Sequence, residues 1–274
     1  MPNLHVMTGA SEIPVVPVVR KINFADLKDA LAKGIDDFLA APTQLIFLAI
    51  IYPIVGLFLA RLTFGYQVLP LLFPLAAGYA LIGPFAAIGL YEMSRQREQG
   101  REVSWTDAFG VLRCPSLDAI AAVGFVLMVV FVIWLATALW LYDTLFGSAP
   151  PDSIGQFLSE VLTTTRGWVL IIAGHALGFL FAVVALTVGV VSFPLLVDRD
   201  IGAVVALQTS VRAVLANPLV MAVWGLIVGV SLAIGSLPFF IGLAVVMPVL
   251  AHATWHLYRK LVESAAPRPA GSAV

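Results

Sequence analysis

The sequence predicts an all-α integral membrane bundle of six transmembrane helices, arranged as three parallel hairpins that each follow a cytoplasmic amphipathic helix. Three observations predict it. Of 274 residues, 61% are hydrophobic and only 11% charged, with a mean hydropathy of +1.00, so the apolar side chains exceed what one water-soluble core can enclose. Six apolar stretches are long enough to cross about 30 Å of hydrocarbon, which takes roughly 20 helical residues. Amphipathic segments ending in proline precede the first, third and fifth of them.

Taken in order, residues 1–22 read as a flexible tail. The run PVVPVV is broken by proline, and neither a basic start nor a small-residue cleavage site marks a signal peptide. FADLKDALAKGIDDFLAAP (24–42) spaces Phe24, Leu27, Leu31, Ile35 and Phe38 as one apolar helix face, with Asp26, Lys28, Asp29, Lys33, Asp36 and Asp37 elsewhere. Spans follow at 45–62 and 68–91. SRQREQGRE (94–102), of mixed sign, reads as a solvated connection. SWTDAFGVLRCP (104–115) repeats the amphipathic plan through Trp105, Ala108, Phe109 and Leu112, with Ser104 as N-cap, and leads into a span at 119–146. The following loop holds a brief helix at 153–163, and the fourth span covers 168–197. ALQTSVRAVLANP (206–218) carries the third amphipathic face on Leu207, Val211, Val214 and Leu215. It leads to spans at 219–235 and 237–258, separated only by SLP, then to a tail at 264–274. The six-span domain is thus 23–263. Each amphipathic helix lies in the interface with its apolar face on the acyl boundary or on the bundle, and a proline stops it. Pro53, Pro74, Pro84, Pro194 and Pro248, inside spans, are expected to kink them.

Basic residues set the orientation. With both termini cytoplasmic, all of the 15 Lys and Arg except Arg61 and Arg166 lie inside, as the retention of basic residues on the cytoplasmic side during membrane insertion favours. Cys114, the only cysteine, forms no internal disulfide, and a net charge of -1 gives no field for nucleic acid.

The phrases PVVRKINFADLKDALAKGIDDFLAAP, FPLLVDRDIGAVVALQTSVRAVLANP and MPVLAHATWHLYRKLVE together resemble a family of predicted bacterial inner-membrane proteins classed as a domain of unknown function. The resemblance covers roughly residues 17–263. It implies the fold and the location, and no established activity. Some members carry a label likening them to cytochrome c oxidase subunit I, which requires several histidines at matched depths. Only His175, His252 and His256 fall within spans here.

Those three are the candidate cofactor ligands. His252 and His256 are one helical turn apart in AHATWHLYRK, where Trp255 and Tyr258 read as an aromatic belt and Arg259 and Lys260 as its positive flank. At about 1.5 Å per residue, His175 sits roughly 10 Å from the outer end of its span and His252 roughly 22 Å from the same side, which mismatches two haem ligands. An ordinary interfacial cluster is therefore expected, ahead of a haem or metal site or a pH-sensitive contact, and no cofactor is assigned. Two stripes of small residues, Gly174, Gly178 and Ala182 on the fourth span and Gly225, Gly229 and Ala233 on the fifth, read as helix-packing faces within the bundle or between copies.

No Ser-His-acid grouping, phosphate loop or HExxH motif appears, so no catalytic residue and no enzyme is predicted. Buried charge of the kind that drives coupled transport is scarce. The expected function is a scaffold or assembly factor of the inner membrane. Its partners are lipid and either another membrane protein or a second copy. A permease for a neutral or lipid-like solute is the alternative, and a haem-binding respiratory subunit the second alternative.

Overall fold

The structure, a computed structural model, describes residues 16–41, 87–149, 151, 153–237 and 241–263. The expected span 45–62, most of 68–91, Pro53, Pro74, Pro84, residues 1–15 of the expected N-terminal tail and the tail 264–274 lie outside the described residues. Within them the chain is helical, with one isolated β-bridge.

The first helix, α1 (Phe24–Ala40), opens on a reciprocal cap. Asn23 Oδ1 accepts from the Ala25 and Asp26 amides at 2.8 and 3.2 Å, while the Asn23 amide donates to Asp26 Oδ2 at 3.0 Å. Residues 87–98 form α2, and the chain then turns through Gly100 at φ +76°. The amphipathic helix expected over 104–115 is instead a 3-10 segment, Trp105–Arg113. Its amides reach back three residues, Asp107 to Ser104 at 3.0 Å and Cys114 to Val111 at 2.9 Å. Gly110 within it and Pro115 beyond it disfavour a longer α-helix.

Helix α3 (Leu117–Phe146) is the third expected span, longer by two residues at its start. The brief helix α4 (Ile154–Thr163) is capped by Ser153, whose Oγ accepts from the Gln156 amide at 3.1 Å. The fourth span is two helices rather than one, α5 (Thr165–Gly189) and α6 (Ser192–Asp198). Pro194 in the first turn of α6 has no N–H to offer the ladder. Ser210 enters the gap that opens. Its Oγ accepts from the Val191 amide at 3.2 Å and donates to the Thr187 carbonyl at 2.7 Å, replacing one helical bond with two.

Ser210 belongs to α7 (Ala203–Ala216), which Asn217 separates from α8 (Pro218–Ser236), with Pro218 at its first position. The chain returns in α9 (Leu243–Leu261), which contains Pro248. Near this turn α8 and α9 touch at Gly235 and Gly242, where a Cβ on Gly242 would come within 2.8 Å of Gly235 backbone. At their other ends both meet the N-terminal segment. Val19 bridges Val262, the Arg20 amide donates to the Leu261 carbonyl at 2.8 Å, and Asn217 Oδ1 accepts from the Ile22 amide at 2.8 Å. Helices α8 and α9 therefore run antiparallel.

Among the described residues three segments are long and apolar enough to cross a membrane: Leu117–Phe146, Thr165–Asp198 and Pro218–Ser236. Helix α9 is not one of them, because its half after Ala251 is polar. That half is instead enclosed by protein. Helix α1 runs antiparallel along it, with Lys260 beside Asp26 and Asp29, Gly34 against Ala253, and Asp37 at His256. Around this pair, α2, α6 and α7 complete a tightly packed base that buries Leu90, Met93, Phe193, Leu196, Ala206, Trp255 and Leu257. From it α3, α5 and α8 extend with large apolar side chains exposed, among them Phe125, Phe179 and Leu226.

Candidate functional site

A dense cluster of buried polar side chains centres on Asp37, where α1, α2 and α9 meet. Leu27, Ala30, Gly34 and Asp37 form the stripe of α1 that packs inward, so the carboxylate is carried to the protein interior by small neighbours. Asp37 Oδ2 accepts from Ser94 Oγ at 2.6 Å and from His256 Nε2 at 2.8 Å, and Oδ1 accepts from Arg97 Nη1 at 2.6 Å. Burial alone would raise the Asp37 carboxyl, but the hydrogen bonds from His256 and Ser94 outweigh it and hold the group below its ordinary 3.8. An ionised Asp37 takes the serine proton. Ser94 is then left as an acceptor, and His252 Nδ1 at 2.7 Å must be the donor to it. This fixes the tautomer of His252, which is 1% exposed and whose Nε2 has no partner among the described residues.

The trio of Ser94, His252 and Asp37 is absent from any local motif, and its order is not that of a hydrolase. The acid holds the hydroxyl directly rather than orienting the imidazole, and Ser94 is 1% exposed, beyond reach of a substrate. Its hydrogen bonds join α1, α2 and α9.

A second network adjoins it. Trp255 Nε1 donates to Glu98 at 3.3 Å, Arg259 bridges Glu98 and Asp198 at 3.1 and 3.4 Å, and the Tyr258 hydroxyl donates to Asp198 at 2.6 Å. Burial lowers and the Glu98 and Asp198 charges raise the Arg259 guanidinium, with a net rise. Lys260 is raised through its hydrogen bond to Asp29, which is lowered in turn by Lys260 and then Lys33. Trp255 and Tyr258 are thus no aromatic belt. Both are fully buried, their rings 5.5 Å apart, because α1 and α2 wrap the end of α9 that the sequence places at the headgroups. Nor is SRQREQGRE a solvated connection throughout. Its first half continues α2 and walls the base, with Arg95 paired to Glu92 at 2.7 Å and raised by that bond.

The remaining candidates lie apart. His175 is exposed on α5, its Nδ1–H donating to the Ile171 carbonyl at 2.7 Å. Gly178 faces the Trp134 ring and Gly174 the Leu141 side chain of α3. Gly225 lies against Leu186 of α5, whereas Gly229 has open space where its Cβ would stand, and Ala182 and Ala233 are exposed. No group of three or more His, Cys, Asp or Glu side chains among the described residues is placed to hold a metal.

Asp37 was legible as an anomaly. Asp36 and Asp37 close a helix that has no basic residue in its last turn, where the dipole disfavours acids, so a carboxylate there needs a partner from elsewhere. Ser94 gave no such signal.

Two shallow cavities open on the base. One of about 310 Å³ is lined by Glu92, Arg95, Arg113, Cys114 and Arg199, and one of about 280 Å³ by Lys33, Asp37, Arg97 and His256. No curated protein and no solved structure matches the chain. Residues 72–198 match the family model described as Predicted integral membrane protein (DUF2189), and the exposed apolar helices agree with it: this is an integral membrane protein.

Proposed function

We propose that the chain is a six-span scaffold of the bacterial inner membrane, non-enzymatic, with both termini and the base in the cytoplasm. The observation that carries this reading is where the charge of the base goes. The buried Asp37, the half-buried Asp198 and the exposed Glu98 each tie one helix to another, and the buried Glu92 is neutralised by Arg95 on its own helix. Polar groups that only join helices serve a rigid platform rather than a coupled carrier. The pairing of Val19 with Val262 supports ends on one face, which an even number of crossings requires. The basic residues concentrated there support the cytoplasmic face. Three hairpins, each entered through an amphipathic segment, fit the order of α1, the 3-10 segment and α7 ahead of the apolar runs.

Neither alternative gains a specific observation. The cavities lie on the base, and His252 is enclosed there while His175 faces outward on α5. Crosslinking through exposed Lys21 and Lys28 in native membranes, followed by purification and mass spectrometry, tests the scaffold. A stoichiometric membrane-protein partner crosslinked to this face is expected. A chain that reproducibly purifies uncrosslinked and alone contradicts the reading.

A further inference from the structure

Helix α7 has three distinct sides. With successive side chains turned by about 100°, Ala203, Ala206, Thr209, Ser210 and Ala213 face the bundle and are buried. Gln208 and Arg212 form an exposed polar edge. Between these sides, Val204, Val211 and Leu215 are 43%, 37% and 72% exposed. A single exposed leucine needs no explanation, but a row does. Past the Asn217–Pro218 corner, α8 also exposes large apolar residues, Leu219 at 66% and Leu226 at 64%, on a helix apolar enough to cross a membrane. The sequence pattern placed Leu207, Val211, Val214 and Leu215 on one apolar face without distinguishing bundle from lipid; the structure divides that face, packing Leu207 and Val214 against the core and leaving Val211 and Leu215 exposed.

We propose that α7 seats this ridge in the acyl boundary of the leaflet next to the base, with Arg212 among the headgroup phosphates. The partner is a lipid surface rather than another protein for two reasons. The ridge is followed in the chain by exposed apolar residues of the spanning helix α8, and the one charged residue of α7, Arg212, is basic, as an anionic headgroup layer requires. Helix α1 has a similar outer ridge in Phe24, Ile35 and Leu39, but its exposed edge mixes Asp36 with Lys28 and Lys33 and has no single sign to match. The proposal rests on the reading of α8 as a span, not on the scaffold role.

The test uses full-length protein in nanodiscs of phosphatidylglycerol and phosphatidylcholine, with Cys114→Ala removing the native thiol. An environment-sensitive fluorophore is attached at Leu215→Cys, Gln208→Cys or Leu226→Cys. Spin-labelled lipid is expected to quench the probes at 215 and 226, and aqueous iodide the probe at 208. Iodide quenching at 215, or quenching there by neither agent, overturns the proposal, the second result meaning that protein covers the ridge. Loss of lipid quenching at 226 as well assigns the failure to the spanning role of α8.

Discussion

Asp37 stands in the last turn of α1, 7% exposed, and three side chains from two other helices donate to it. Removing it as Asp37→Ala leaves Arg97, His256 and Ser94 without their acceptor, which is expected to cost about 2–4 kcal/mol. Chemical unfolding of the detergent-solubilised chain measures it, and a change within about 0.5 kcal/mol, as at an ordinary surface site, would refute the role. Because its folded carboxyl lies below 3.8, Asp37 contributes its full stability above that value and loses it as the pH falls further toward the folded value. The wild-type chain is therefore expected to weaken more steeply below about pH 4 than Asp37→Asn, as acid-titrated melting curves would show. Ser210 acts at the same scale. Ser210→Ala strips the Val191 amide of its acceptor inside a fully buried joint, at a cost of about 1–3 kcal/mol. Hydrogen exchange should rise at Val191 while remote α3 amides stay protected. No sequence period announces Ser210 or Ser94, since a hydroxyl inside a helix looks alike whether it bonds its own turn or repairs a neighbour's.

At the scale of elements, the contact between α1 and α9 depends on Gly34. A Cβ there would lie 2.6 Å from the Ala253 backbone nitrogen, closer than a Cβ approaches a nonbonded backbone atom. Glycine to alanine would stabilise an isolated helix by about 1 kcal/mol. In this protein Gly34→Ala is expected to do the reverse, loosening α1 and speeding tryptic cleavage after Lys28 and Lys33. Slower cleavage would mean that α1 does not dock as described. Element existence was readable from apolar runs, caps and prolines: α3, α4, α8 and the onset of α1 stand within two residues of their expected positions. Which face each amphipathic helix turns inward was not. Periodicity marks the most hydrophobic side, whereas close packing favours small residues, and in α1 and α7 the two sides overlap only in part. The 3-10 form of Trp105–Arg113 was likewise hidden, because its apolar spacing of three and four residues fits either helix.

At the scale of the whole molecule, the described residues divide into a base with the chemistry of a water-soluble core and apolar rods with the chemistry of lipid. Composition gave the rods away. The base was obscured because AHATWHLYRK has the residue types of a membrane exit, aromatic then basic, and only the tertiary wrapping by α1 and α2 makes it an interior. The clasp of Val19, Asn217 and Val262 gathers the start of α1, the start of α8 and the end of α9 at one level. Reporter fusions at Met1 and Val274 in a bacterial host test this arrangement most directly. The account predicts that fluorescent fusions at both ends glow in the cytoplasm and that alkaline phosphatase is inactive at either. Opposite signals from the two ends would contradict it.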